Sequence, residues 1–295
     1  MTDLLSMLDD LDDSSDKISA DTIVKAPFGW PGGKSRSIKH IIPLLPYKDV
    51  WCDHFGGSGT VTLARRPCKL EIYNDRFSGL TDLYRCIQDP VKLQLLVDRL
   101  EHTIHSKETF LDAKSTWKNF TDPVERAAKF YEMVVYSFGK LGRNWGRARV
   151  PTGRVSGILR DALPNFYNIH ERFKYVQIEN VDFRKCMKDY DSDVTVHYCD
   201  PDYVDTSAGV YAHGMSVDDH KDLLRLIFEM KGFVAVSGLA NPLYDGFKWD
   251  DRRTWNSYCS IKSINSSENN NKGDIALVDE GRGHQEEVLW IKDFR

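Results

Sequence analysis

The sequence predicts an α/β chain built on an open, mainly parallel sheet of the doubly wound kind. Three observations carry that reading. β-Branched runs bounded by glycines alternate with stretches whose apolar residues recur at helical spacing. Val50-Trp51-Cys52-Asp53-His54-Phe55-Gly56-Gly57-Ser58-Gly59-Thr60-Val61 reads as strand, glycine turn and helix start, and Leu70-Glu71-Ile72-Tyr73 follows as a second strand ending in Asn74-Asp75. In doubly wound sheets that turn takes a nucleotide-type cofactor, and an acid at the second strand tip takes its ribose; an ordinary βαβ unit is the competing reading. Finally, His197-Tyr198-Cys199-Asp200-Pro201-Asp202-Tyr203 follows Val194-Thr195-Val196. This reads as a buried strand presenting Asp200 and Tyr203 at its carboxyl end, the edge where such sheets bind ligands. Alone, the Asp-Pro pair would also suit a plain turn.

Composition narrows the classes. The 295 residues, 41% hydrophobic and 28% charged, suit one elaborated globular domain. No apolar run approaches the roughly 20 residues that cross a bilayer. The acidic N-terminus is unlike a secretory signal, so a cytoplasmic protein is expected. Six cysteines (52, 68, 86, 186, 199, 259) include no Cys-x-x-Cys pair. Reduced thiols are expected, with neither a disulfide framework nor a zinc site. The histidines show no ligand spacing, so no metal is expected. The net charge of −4 does not predict a nucleic-acid partner, which would need a local basic face.

In chain order, residues 1–21 hold seven Asp and one Lys. A disordered acidic tail over 1–24 is expected. Leu4, Leu5, Met7, Leu8 and Leu11 could instead line a short helix for a protein partner. Phe28-Gly29-Trp30-Pro31-Gly32-Gly33-Lys34 lets the backbone approach a ligand closely beside a cation; the spacing does not fit a P-loop. Ser35 could cap a helix through Ile38 to Ile42. Residues 79–138 read as mainly helical core, with Pro123 in a first helical turn.

Phe138 to Arg160 differs. Lys140, Arg143, Arg147, Arg149, Arg154 and Arg160 occur with no acid among them, interleaved with glycines around Trp145. A basic, aromatic-bearing segment suits phosphate contacts and base approach; a solvated loop is the alternative. Phe173 to Asn180 returns to strand character. Asp182 then suits either a hydrogen bond from an adenine amino group or a helix cap. Ser216 and Asp219 have capping-box spacing ahead of a helix through Phe228. Gly232 to Gly238 reads as a buried strand, Trp255 to Ile261 as another, 265–283 as a mobile polar stretch, and Glu287 to Ile291 as a last strand.

Taken together, Phe-x-Trp-x-Gly-Gly-Lys, Phe-Gly-Gly-Ser-Gly-Thr-Val, Asn-Asp, a long insert, Asp-Phe and Asp-Pro-x-Tyr resemble the Dam-type adenine-N6 DNA methyltransferases, most closely their phage members. The resemblance spans roughly 26–293. It implies a Rossmann-like, S-adenosylmethionine-dependent methyltransferase sheet with an inserted helical and loop region that recognises double-stranded DNA. Residues 25–80 and 174–295 would form the catalytic domain, and 81–173 the recognition insert. It further implies that Trp30 and Lys34 lie beside the methionine end of the cofactor. Phe55, Gly56, Gly57 and Gly59 would form its turn, Asp75 would hold the ribose and Asp182 would meet the cofactor adenine. Asp200, Pro201 and Tyr203 would engage a flipped-out target adenine. Lys140, Arg143, Trp145, Arg147, Arg149 and Arg154 fall in the recognition insert. One departure stands out: the family's usual Asp-Pro-Pro-Tyr is Asp-Pro-Asp-Tyr here. Asp202 either points to solvent or weakens transfer, and the latter would fit a silent DNA-binding decoy or regulator.

Overall fold

A computed structural model describes residues 23–147, 157–204, 214–258 and 284–293. Seven strands form one sheet: β1 (Val50–Asp53), β2 (Leu70–Asn74), β3 (Gln177–Glu179), β4 (Thr195–Cys199), β5 (Phe233–Leu239), β6 (Asp251–Tyr258) and β7 (His284–Lys292). Their order is β3-β2-β1-β4-β5-β7-β6. Pairing is parallel from β3 through β5, and β7 runs antiparallel to both β5 and β6. This is the Rossmann-like α/β sheet the sequence predicts. Its order reverses between β1 and β4, and at such a point the two outgoing loops part and leave a crevice at the carboxyl edge.

The helices are α1 (Ile38–Ile41), α2 (Thr60–Ala64), α3 (Ser78–Gln88), α4 (Pro90–Glu101), α5 (Lys107–Thr116), α6 (Pro123–Tyr136), α7 (Pro164–Phe173), α8 (Phe183–Asp189), α9 (Val217–Ile227) and α10 (Pro242–Asp245). Helices α3 to α7 share one apolar cluster with Phe28, Leu63 and Tyr73. These helices are thus fused to the β1–β2 side of the sheet through common packing. A buried ion cluster adds to this: Glu71 on β2 pairs with Arg65 at 3.0 Å and with Arg172 of α7 at 2.5 Å. Pro123 opens α6 beneath an Asp122 cap, and Ser216 and Asp219 form the full capping box of α9.

Several boundaries differ from the sequence reading. The acidic tail was expected through residue 24, yet Ile23 and Val24 pack on the core, because two β-branched side chains gain by leaving water. Ser35 does not cap α1; the preceding residue is Ser37, whose hydroxyl donates to Glu287 at 2.5 Å. Phe173 belongs to α7 and is fully buried there, leaving β3 only three residues. Strand β6 starts at Asp251, earlier than the apolar pattern suggests, since charged residues are suited to an edge strand. The expected mobile stretch 265–283 and the tail residues 1–22 lie outside the described residues. Among the described residues no helix is long and apolar enough to cross a membrane.

Candidate active site

The crevice lies over the carboxyl ends of β1, β2 and β4, where the three sequence motifs meet around one cavity. Gly57, at φ 51°, turns the chain out of β1 beneath the Trp30 ring; a Cβ there would sit 3.2 Å from that ring. Gly56 has no room for a side chain, as a Cβ would lie 2.1 Å from the Tyr73 ring. Tyr73 in turn donates its hydroxyl to the Gly57 carbonyl at 2.6 Å. The turn is therefore stiffened from below and bare on its cavity side.

Asp75 stands at the tip of β2. Its two oxygens accept from the Gly57 amide at 2.8 Å and the Phe77 amide at 2.7 Å. Burial still lifts its pKa to about 6. Asp53, at the tip of β1, lines the same cavity and was not singled out in the sequence. One of its oxygens accepts from Thr62 Oγ1 at 2.9 Å; the other is buried with no hydrogen bond among the described residues, though the nearby Phe55 amide favours its charge. Burial pushes its pKa to about 7. A buried carboxylate oxygen without a donor is costly unless something binds it. The only signal in the sequence was an acid at the end of the first strand, directly before the glycine turn.

Across the crevice, Lys34, Asp200 and Tyr203 form one cluster. The Lys34 ammonium donates to Asp200 Oδ2 at 2.8 Å, to the Gly32 carbonyl at 2.7 Å and to the Tyr203 hydroxyl at 3.2 Å. Ser237 at the end of β5, also unremarked in the sequence, donates to Asp200 Oδ1 at 2.9 Å. Burial works against charge on Lys34, but Asp200 and then Tyr203 hold its pKa above the ordinary value. Burial raises the Asp200 carboxyl, and Lys34 and Ser237 pull it back. Asp200 is thereby a partly buried acceptor held in place at the cavity wall. Lys34 was expected at the cofactor's carboxylate; here its charge is engaged by Asp200.

Asp202 does not simply face solvent. It lines the cavity, and burial, then Asp75 and Asp200, raise its pKa to about 7. Pro201 and Phe55 line the cavity too, and the Phe55 ring packs on Phe183 at 5.3 Å. Gly59, at φ 69°, is the residue before α2 and stands behind the cavity wall. Asp182 follows its second reading. It caps α8, accepting from the Arg184 amide at 2.9 Å, and pairs with the Arg184 and Arg76 side chains. Its neighbours Val181 and Phe183 face the cavity instead.

In the basic segment the residues separate. Lys140 turns inward and donates to the Val135 carbonyl near the end of α6, where a cation meets exposed carbonyls. Trp145, partly buried, packs on His105, Phe110 and Tyr136 against the core. Arg143 and Arg147 are exposed, whereas Arg149 and Arg154 lie outside the described residues. A second hollow opens beside Arg143. It shares Trp30, Pro31 and Phe77 with the first cavity and is rimmed by Lys114, Lys118, Lys140 and Arg143.

The sheet order and the crevice are those of a Rossmann-like α/β fold with a ligand site at its switch point. The family model of D12 class N6 adenine-specific DNA methyltransferases matches residues 30–268, and the chain belongs to that family. It is similar to the type II methyltransferase M.FokI of Planomicrobium okeanokoites, with 24% identity over 292 residues. The match takes in 89% of this chain and 43% of that relative, so the chain spans less than half the relative's length. The phage likeness expected from the motifs gains no support from this relative.

Proposed function

We propose that this chain transfers a methyl group from S-adenosylmethionine to the N6 amino group of adenine in double-stranded DNA. The observation that most supports this is the single cavity joining the Lys34–Asp200–Tyr203 cluster to the glycine turn and Asp75. The cavity also suits the cofactor's charge. The cofactor is cationic at sulfur and at its amino group, and Asp53 offers a buried oxygen with no donor of its own. Asp53 would take the amino group, Asp75 the ribose hydroxyls, and Trp30 and Phe55 would flank the ligand. Phe183 and Val181 would bound the adenine end, in place of a direct contact from Asp182.

The cofactor supplies an activated methyl group on a sulfonium. The chain's own work is on the other reactant. An adenine amino nitrogen is a poor nucleophile because its lone pair is delocalised into the ring. Asp200 and the Pro201 carbonyl each accept one amino hydrogen, which favours a tetrahedral nitrogen with a localised pair. Tyr203 stacks on the ring. As the new N–C bond forms and the C–S bond breaks, the nitrogen becomes positive, and the Asp200 charge stabilises it. One amino proton is then released, leaving N6-methyladenine and a neutral thioether. A paired base cannot reach this edge, so the target is flipped out of the stack. Residues 81–173 act as the recognition insert, with Arg143 and Arg147 on phosphates.

The test is transfer of labelled methyl to unmethylated DNA, followed by nucleoside analysis. Label in N6-methyladenine supports the reading. Label in RNA alone, or none despite measured cofactor binding, overturns it.

A further inference from the structure

Asp200 is held by more than its ion pair. Tyr198 on β4 and Ala235 on β5 are register partners. Asp200 and Ser237 each come two residues later, so their side chains lie side by side on one face. Ser237 donates to Asp200 Oδ1 at 2.9 Å, and Tyr198 Oη lies 2.8 Å from Ser237 Oγ. Tyr198 and Ser237 are almost wholly buried. The Tyr198 ring stacks on Trp51 in the apolar cluster that also takes in Ala235 and Leu289. Packing there calls for no hydroxyl: Phe would fill the place of Tyr198, and Ala that of Ser237. Two buried hydroxyls linked in series to Asp200 need another reason.

Resting on the methyl-transfer reading above, we infer that Ser237 is the positioning residue of Asp200, with Tyr198 behind it. Together they fix which carboxylate oxygen accepts the adenine amino hydrogen. Lys34 does not make that choice. Its ammonium lies 2.6 Å from Oδ1 and 2.8 Å from Oδ2, so it straddles the carboxylate. Ser237 bonds to Oδ1. A carboxylate offers about four lone-pair sites, two on each oxygen. Ser237 and Lys34 occupy those of Oδ1, whereas Oδ2 keeps one free beside Lys34. Oδ2 is therefore the oxygen that receives the amino hydrogen.

The direction of the bonds follows from the protons. The Ser237 hydroxyl gives its single proton to the carboxylate. Burial keeps the Tyr198 phenol protonated, so Tyr198 donates to Ser237. A hydroxyl that itself accepts a hydrogen bond donates more strongly, and the series from Tyr198 through Ser237 tightens the contact to Asp200. Without Ser237, the carboxylate would be free to turn beneath Lys34, which can follow either oxygen. The amino group would then meet it at varying angles, and transfer depends on alignment.

The test separates positioning from packing. Ser237→Ala should lower kcat about 10- to 100-fold, as for a lost hydrogen bond to a charged group, with KM for cofactor and DNA unchanged. Ser237→Thr, which keeps the hydroxyl, should restore turnover. Ser237→Ala also strands the buried Tyr198 hydroxyl and should lower the melting temperature. Adding Tyr198→Phe removes the stranded group and should recover part of that loss, while turnover stays low. Turnover that recovers with the melting temperature, or wild-type turnover in Ser237→Ala, would overturn the role. A second readout needs no methyl transfer: carbon-13 NMR titration of Asp200 in the ligand-free full chain, its signal assigned with Asp200→Asn. The groups facing Asp200 are Lys34, Tyr203, Tyr198, Asp53, Asp202 and, from β7, Glu287, all retained in Ser237→Ala. The midpoint should rise in that variant, because the charged form loses a donor. If the wild type transfers no methyl, the proposed function falls and the titration decides alone. A raised midpoint supports the hold of Ser237 on Asp200, and an unchanged one overturns it.

Discussion

Two hollows share the wall built by Trp30, Pro31 and Phe77, and they differ in the sign of their charge. The first is lined by Asp53, Asp75, Asp200, Asp202 and Asp219, with Lys34 already engaged by Asp200 and Arg76 drawn toward Asp182. The second is rimmed by Lys114, Lys118, Lys140 and Arg143, and no carboxylate among the described residues lines it. Under the proposed function, the acidic hollow takes a cationic cofactor and the basic rim takes the polyanion. The difference teaches why a net charge of −4 says little about partners. Binding responds to the local field, and a thin aromatic wall is enough to separate two opposite fields.

The largest effect should come from the point where the cofactor and DNA meet. Asp200→Ala is expected to lower the turnover number by about 1,000-fold, in line with loss of a transition-state hydrogen-bond partner. Cofactor affinity should stay within a few-fold, as read by calorimetry. Equal activity in the variant would remove Asp200 from the mechanism and dissolve the proposed division of labour.

Next comes the acidic side itself. Asp53→Ala removes the buried oxygen assigned to the cofactor's amino group. Hydrogen bonds to charged groups contribute about 1.5–3 kcal/mol, so cofactor affinity should drop about 10- to 150-fold. DNA affinity should not move. A variant that binds cofactor normally would mean that the charge of this hollow serves something else.

The basic side is tested by salt. Lys118→Gln, Arg143→Gln and Arg147→Gln should weaken DNA binding equally across sequences. Each lost phosphate contact should lower the slope of log affinity against log salt by about 0.9. An unchanged slope in the triple variant would move the DNA face elsewhere.

What the sequence revealed follows from what is local. The glycine turn, Asp75 and the Asp-Pro-Asp-Tyr stretch were legible because each needs particular residue types at one place in the chain. The buried strands β4 and β5 were legible as β-branched runs. Ser237 and the buried setting of Asp53 were not legible, because their meaning depends on neighbours 37 and 9 residues away, Asp200 and Thr62. Trp145 sat in a basic run and looked like a base platform. Its ring is partly buried against α5 and α6, and no local pattern distinguishes such packing from a base platform. Asp182 was ambiguous for a physical reason: a cap and an adenine contact use the same oxygen acceptor.

The finest test concerns Asp202, the family's usual proline. Burial, then Asp75 and Asp200, lift its pKa to about 7, so in the ligand-free protein it sheds its proton near neutrality. The sign for stability follows from that direction. Its folded pKa lies above the unfolded value of 3.8, so its contribution is full below that value and lost as pH rises through about 7. The melting temperature should therefore fall across that window, and Asp202→Pro should flatten part of the fall, with Asp53, Asp75 and Asp200 contributing the rest. Cofactor affinity should move the opposite way, because each new negative charge favours a cation. In the wild type it should rise a few-fold as pH passes through about 7, and less in Asp202→Pro. Thermal melts and calorimetry across that range read both slopes. Parallel curves for the two proteins would show that Asp202 does not titrate in the cavity, and the acidic hollow would then rest on its other aspartates alone.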